Sequence, residues 1–347
     1  MPYPVLTIIV PCYNEEAVFK QTSMALTGIL SDLIKETLID PKSRLLFVDD
    51  GSSDQTWAMI QKASQHSPFV TGLKLSKNFG HQKALLAGLE TAVHQSDCLL
   101  SVDADLQDDI EAIRLFVLKY LEGYEVVYGV RTCRDSDTAF KKWTAQGYYK
   151  LMKRLGMTLV YNHADYRLLS RTVVLELLKF KETHLFLRGM VPLVGFPSTN
   201  VFYERKERAA GVSKYPLKKM IGFALDGMTS FSVKPIRLIT FIGILSSIIS
   251  FIVGVYALSQ KFLHQTQLGW TSLITSIWFI GGLMLMSLGL VGEYIGKIYE
   301  EVKQRPRFII EKDLFSQHAL LTDQLLNPVS LTDRSLNHDL PSSQIFH

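Results

Sequence analysis

Between residue 5 and about residue 130, short apolar runs alternate with longer stretches of helical period. Residues 5–10 form a β-branched apolar run that stops at Pro11, which predicts a strand. A helical stretch follows from about residue 16 to 39. Residues 45–48 read as a second buried strand, ending in Asp49-Asp50-Gly51-Ser52. A helix begins near Asp54, with Asp54 or Ser53 as its N-cap. Residues 70–75 make a third strand, followed by a loop at 76–80 and a helix through Ala92. Residues 98–102 make a fourth, ending at Asp103, and residues 125–128 are a candidate fifth. Strands alternating with helices of this length predict an α/β domain with a mostly parallel, Rossmann-like sheet. Residues 138–155 look helical, and residues 164–178 read as a strand or turn followed by a helix.

The pattern changes after Pro216. Leu217, Met220, Ile221, Ala224, Leu225 and Met228 recur at helical spacing, with Lys218 and Lys219 off that stripe. This predicts an amphipathic helix, suited either to a membrane interface or to an ordinary core contact. Two long apolar stretches follow, 238–260 and 269–292, and neither holds a charged residue. Each is long enough to cross a hydrocarbon core of about 30 Å. Lys234, Arg237, Lys297, Lys303, Arg305 and Arg307 sit on their outer flanks, while Lys261 lies in the loop between them. That asymmetry predicts two transmembrane helices with both termini and the N-terminal domain in the cytoplasm. Gly281, Gly282, Gly289 and Gly292 either permit close helix packing or are ordinary membrane glycines. From Asp313 on the chain is polar and without period, which predicts a mobile tail.

Composition agrees with a soluble front and an apolar back. The chain has 347 residues, 47% of them hydrophobic, and the excess lies after Pro235. A net charge of +4 gives no nucleic-acid footprint. Lys214, Lys218, Lys219, Lys234 and Arg237 do cluster ahead of the apolar region. They fit an anionic membrane surface, an anionic ligand or a solvated face. Cys12, Cys98 and Cys133 have no metal-site spacing and form no disulfide framework, which fits a reducing compartment. The N-terminus has neither the basic region nor the long apolar run of a signal peptide.

Ligands of open α/β sheets bind beyond the carboxyl ends of the strands. Here strand one runs into Pro11-Cys12-Tyr13-Asn14-Glu15, strand two into Asp49-Asp50, and strand four into Asp103-Ala104-Asp105. Two carboxylates one residue apart, where pleating breaks, can both turn to one hard cation, and Gln107 offers a neutral oxygen nearby. Oxygen-only ligands suit Mg²⁺ or Mn²⁺. Asp103, Asp105 and Gln107 are therefore the candidate metal ligands. A D-x-D pair alone is a weak signal, and its meaning comes from its surroundings.

Those surroundings are Val10-Pro11-Cys12-Tyr13-Asn14-Glu15-Glu16, Val48-Asp49-Asp50-Gly51-Ser52-Ser53-Asp54, Asn78-Phe79-Gly80 and Asp103-Ala104-Asp105-Leu106-Gln107-Asp108. In this order they resemble the inverting glycosyltransferases of family 2, which have a GT-A fold. Gly292-Glu293-Tyr294-Ile295-Gly296 and the two apolar stretches are similar to the bacterial polyprenyl-phosphate glycosyltransferases, relatives of dolichol-phosphate mannose synthase. The resemblance covers about residues 5–310, with Cys12 in place of the usual Ser. It implies that Pro11, Tyr13, Asn14 and Glu15 line the nucleoside pocket. It also implies that Asp50 bonds the base, with Asp49 structural. Asn78 either shapes the nucleotide site or caps a helix, and Asp103 belongs to both the metal and the nucleotide.

For the acceptor, the resemblance points to Arg131, Arg134 and the segment Arg208-Ala209-Ala210-Gly211-Val212-Ser213-Lys214, with Arg208, Ser213 and Lys214 as phosphate ligands. Asp165, in Asp165-Tyr166-Arg167-Leu168-Leu169-Ser170, joins Asp103 and Asp105 as a catalytic candidate. A phosphomonoester has its second pKa at about 6, so the nucleophile is already anionic and scarcely needs a base. Asp165 is left with an orienting role or a structural ion pair with Arg167.

The expected organisation is a GT-A domain at 1–210, an interfacial segment at 211–235, two transmembrane helices at 236–296, and a cytoplasmic segment and tail at 297–347. The expected reaction is transfer from a nucleotide-sugar to polyprenyl phosphate with inversion, at the plasma membrane. UDP-sugar is the expected donor, and GDP-mannose stays open. A homo-oligomer and a lipid-sugar flippase are possible partners beside the bilayer. The rivals are a processive polysaccharide synthase, whose Q-x-x-R-W motif is absent here, a non-catalytic nucleotide-binding scaffold, and a soluble-acceptor transferase.

Overall fold

The computed structural model of the chain describes residues 3–132, 163–182, 187–204 and 269–317, with scattered helical positions between 239 and 252. The helix expected at 138–155, the segment 211–235, most of the first apolar stretch and residues 318–347 lie outside the described residues.

The elements run β1 (Leu6–Cys12), α1 (Glu16–Lys35), β2 (Arg44–Asp49), α2 (Thr56–His66), β3 (Val70–Leu75), α3 (His81–Ala92), β4 (Cys98–Ser101), α4 (Ala112–Leu121), β5 (Val126–Arg131), β6 (His163–Ser170), α5 (Arg171–Leu178), α6 (Leu187–Leu193), β7 (Ser198–Tyr203), α7 (Trp270–Val302) and β8 (Ile310–Asp313). They build one eight-stranded sheet in the order β7-β5-β6-β4-β1-β2-β3-β8. β1 pairs in parallel with β2 and β4, β2 with β3, and β5 with β7. β6 and β8 run against their neighbours. This is the mostly parallel α/β arrangement that the alternating pattern predicts, and it is GT-A-like, as the resemblance implies.

Every residue of β1 is buried, which is why its run is continuously apolar rather than alternating. Leu6, Ile8 and Val10 point to the layer made by α1, α2 and α4, and Ile9 points to the layer of α3, α5 and α6. Gly88 of α3 lies so close to the sheet that a Cβ there would stand 2.5 Å from Ile9 Cγ2. α1 stops at Lys35, short of the expected residue 39, because Thr37 adopts a left-handed φ of 58°. The expected strand and helix at 164–178 are β6 and α5, and Ser170 Oγ caps α5 by accepting from Val173 N.

α7 takes in the expected second stretch and continues past Gly292 to Val302. Within it Phe279–Val302, with mean hydropathy 1.5, is the one segment among the described residues long and apolar enough to cross a membrane. None of its apolar window is buried inside the protein.

The first residues of the tail expected from Asp313 belong to the fold instead. β8 pairs antiparallel with β3 from Leu73↔Asp313 to Leu75↔Ile310. Lys74 and Glu311 are joined at 2.9 Å, Ser76 N donates to Ile309 O, and Phe315 is buried in the core. Glu311, Lys312 and Asp313 are polar because they lie on an exposed edge strand, which covers the flank of β3, and Phe315 just beyond it is one aromatic anchor. Arg307 Nη1 donates to Phe180 O, a second tie between the end of α7 and the sheet domain.

Candidate active site

β4 lies on one side of β1 and β2 on the other, so the carboxyl end of β1 is a topological switch point. Three groups of side chains surround it.

The first group comes from the loops after β1, β2 and β3. Asn14, at a left-handed φ of 55°, donates its backbone N–H to Ser52 Oγ (3.0 Å), and its side-chain Oδ1 accepts from Ser53 N (2.9 Å). Glu15 N donates to Thr56 Oγ1. Asp54 accepts from Thr56 N and Glu16 N, so it serves two helix starts at once and its carboxyl is held below the usual range despite slight burial. Tyr13 is exposed on this rim. Pro11, expected to line the nucleoside pocket, is buried near the end of β1 opposite Val48. Cys12 is buried too, and burial with nearby Glu15 and Asp49 pushes its thiol well up.

Asp50 accepts from Phe79 N (2.7 Å) and Gly80 N (2.9 Å), one bond to each carboxylate oxygen. It therefore holds the 76–80 loop, the structural role expected of Asp49. Asp49 is fully buried, and burial raises its pKa. Ser52 offsets part of that rise, although neither Asp49 oxygen meets hydrogen-bond geometry. Gly51, at φ 67°, makes the crossing possible: a Cβ there would stand 2.4 Å from the Lys77 carbonyl carbon. Asn78 is exposed, and Gly80 rather than Asn78 is the N-cap of α3, with no side-chain cap.

The second group follows β4. Asp103 is partly exposed, and Asp105 accepts from Gln107 N across a turn in which Leu106 has a φ of 53°. Gln107 is buried. Burial and the charges of Asp108, Asp165 and Asp105 push Asp103 up, with His81 opposing. Asp103 accepts no hydrogen bond from the described residues. A crowded carboxylate of this kind, with Asp105 beside it, fits a hard divalent cation. Among the described residues no three His, Cys, Asp or Glu side chains form a closed metal centre. An ion held by Asp103 and Asp105 would take its other ligands from substrate phosphate and water, as Mg²⁺ commonly does.

The third group was largely unmarked in the sequence. Asp165 on β6 accepts from Arg167 Nη2, from Arg188 Nε (3.2 Å) and Nη2 (3.1 Å), and from Gln82 Nε2 (3.1 Å). Burial would raise Asp165, but Arg167 and Arg188 outweigh it and hold the carboxyl well below its usual range. Such a carboxylate is a poor proton acceptor and a good brace. The expected ion pair with Arg167 is present. His81 Nε2 stands 3.7 Å from both Asp103 and Asp165. Arg131 Nη2 donates to Asp108 (3.1 Å), and Tyr203 Oη donates to the same oxygen (2.6 Å).

The structure thus gathers Asp103, Asp105, Gln107, Arg131 and Asp165 on one side of the rim and Tyr13, Asn14, Glu15, Asp50 and Asn78 on the other. Arg134, Arg208, Ser213 and Lys214 lie outside the described residues. Sequence reading missed His81, Gln82, Asp108, Arg188 and Tyr203. His81-Gln82 follows Asn78-Phe79-Gly80 directly, which is a usable signal, whereas Arg188 and Tyr203 sit in no motif.

Residues 7–178 match the family described as Glycosyl transferase family 2. The chain is 57% identical over 314 residues to an uncharacterized glycosyltransferase of Bacillus subtilis, YkoT, covering 90% of this chain and 93% of that one. It is 36% identical over 312 residues to the SfII prophage-derived bactoprenol glucosyl transferase of Shigella flexneri, covering 88% and 97%. Glucosyl-3-phosphoglycerate synthase from Mycobacterium tuberculosis covers 64% of this chain at 16% identity and a TM-score of 0.42, too distant to bear on substrate. With two relatives matched over nearly their whole length and a rim of acidic strand ends to match, the chain belongs to glycosyl transferase family 2 and is a glycosyltransferase.

Proposed function

We propose that the enzyme transfers a sugar from a nucleotide-sugar, a UDP-sugar, to polyprenyl phosphate with inversion at the cytoplasmic face of the plasma membrane. The observation that carries this is the fastening of an exposed apolar helix to the catalytic sheet. α7 presents Met284, Leu285 and Leu288 to its surroundings, and β8 ties its far end to β3 beside the 76–80 loop. An acceptor whose tail stays in a bilayer needs such an arrangement. The name of the Shigella relative, a bactoprenol glucosyl transferase, points the same way.

In this reading the 76–80 loop, fixed by Asp50, and the exposed Tyr13 receive the nucleoside. The acceptor phosphate arrives already anionic. The chain must therefore bring two anions together and orient them, which is work for braced cations. Arg131 supplies one, held in place by Asp108 and Tyr203. Arg134, Arg208, Ser213 and Lys214 supply the remaining phosphate contacts. Asp165 stays ionised and orients its arginines. Mg²⁺ or Mn²⁺ at Asp103, Asp105 and Gln107 would neutralise charge on the departing nucleoside diphosphate. The first apolar stretch is the other membrane crossing, both termini are cytoplasmic, and the domain limits are 1–210, 211–235, 236–296 and 297–347.

The test is transfer of labelled sugar from a panel of nucleotide-sugars to short-chain polyprenyl phosphate by the full-length protein. One lipid-linked sugar per acceptor supports the proposal. A polymeric product would favour a processive synthase, label on a soluble acceptor would favour a soluble-acceptor enzyme, and either result sinks the lipid assignment.

A further inference from the structure

Two arginines are each braced by a buried carboxylate, Asp108 or Asp165, whose charge acts on Asp103. Arg131 at the end of β5 is held by Asp108. Arg188 on α6 is held by Asp165. Arg188 is close enough to Asp103 and to Arg131 for both charges to act on it.

The charge count around Asp165 is uneven. Arg167 is fully buried and already neutralises that carboxylate. Arg188 is a second cation on a group that needs one. It does not serve to place α6 either. Leu187 N donates to Gln82 Oε1 and Leu187 O accepts from Arg167 Nη1, so the start of that helix is pinned from two sides without Arg188. Arg188 uses Nε and Nη2 on Asp165, and its Nη1 makes no hydrogen bond among the described residues. Its side chain is 43% exposed, against 2% for Arg167. The outer edge of a guanidinium held this way is a planar fork set for a phosphate group.

We propose that Arg188 is a substrate-binding residue whose outer edge, together with Arg131, grips a phosphate group beside Asp103. This rests on the transfer reaction proposed above. The shared chemistry is a phosphate oxyanion, and its source is either the donor diphosphate or the acceptor phosphate.

The experiment compares wild type, Arg188→Lys and Arg188→Gln as full-length protein in lipid nanodiscs. Saturation curves are taken in nucleotide-sugar and in short-chain polyprenyl phosphate, UDP binding is measured by calorimetry, and a melting curve is recorded for each. Loss of a charge-assisted phosphate contact should weaken one constant about 10- to 100-fold in Arg188→Gln, with the melting midpoint nearly unchanged. Arg188→Lys, a point charge without the fork, should fall in between and carries the test if Arg188→Gln does not fold. A shifted donor curve with weaker UDP binding places the diphosphate there, and a shifted lipid curve alone places the acceptor there. Unchanged constants for both substrates and for UDP, or a loss that only follows the melting point, overturn the assignment. Should wild type itself transfer nothing to polyprenyl phosphate, the reaction proposed above fails and the donor diphosphate is the one remaining source, so UDP binding still decides on Arg188: weaker binding in Arg188→Gln supports it and equal binding refutes it.

Discussion

Arg167 lies wholly inside the protein and donates to Asp165, two places before it on β6. Alternate residues of a strand share a face, so the pair is set by the strand itself. The folded-state pKa of Asp165 is depressed, so its contribution to stability is fully present above the unfolded pKa of about 4 and is lost as pH falls from there through the lower folded-state pKa. Asp49, Asp50 and Asp103 are shifted up and act in the opposite sense. The clean readout is therefore a difference. Asp165→Asn should cost about 3–5 kcal/mol at neutral pH, because it strands Arg167. That gap to wild type should narrow below about pH 4. Melting curves across pH check it, and a gap independent of pH would contradict the assignment.

Metal dependence follows from Asp103 and Asp105. Asp105→Asn, or EDTA on the wild type, should abolish transfer while the protein still folds and inserts. Full activity in EDTA would remove the metal from the mechanism.

Donor and acceptor sites should separate under mutation. Asp50→Ala frees the 76–80 loop and should raise the donor constant about 10- to 100-fold, for bonds to a charged group worth about 1.5–3 kcal/mol. Arg208→Ala and Lys214→Ala should instead raise the constant for lipid phosphate by a similar factor. Donor-only effects from the last two would move that segment to the nucleotide site.

The anchor of β8 is measurable. Phe315→Ala should cost about 3–5 kcal/mol, the range for a buried Phe. Truncation before residue 308 should cost at least as much, since it also removes the β3 pairing. A truncated protein as stable as the full chain would mean that β8 is dispensable.

Topology can be read with a single cysteine. Gln265→Cys should react with an impermeant reagent in intact cells, and a cysteine in the tail should not. The reverse pattern would invert the orientation.

The first five strands, the helices between them and the acidic strand ends were legible because each is written in a contiguous stretch. β8 was not, since Ile-Glu-Lys-Asp is mostly exposed and only its pairing with β3 makes it a strand. Nor could sequence divide the labour of Asp49 and Asp50. Adjacent residues point to opposite faces, and which of the two meets the amides of Phe79 and Gly80 depends on where the loop after β3 returns. Asp108 with Tyr203, and Asp165 with Arg188, meet only through the sheet order, so no local motif announces them.

β8 also sets a schedule for biosynthesis. Lys74 and Glu311 are 237 residues apart, and nearly all of the chain's apolar back is made between them. At roughly 5–20 residues per second, the ribosome needs about 12–47 s to cover that distance. Throughout that time the outer edge of β3 stands open, a template for any stray strand. The catalytic sheet is therefore sealed last, by a strand that emerges only after α7 has left the ribosome, and a chain whose apolar part goes astray never closes its sheet.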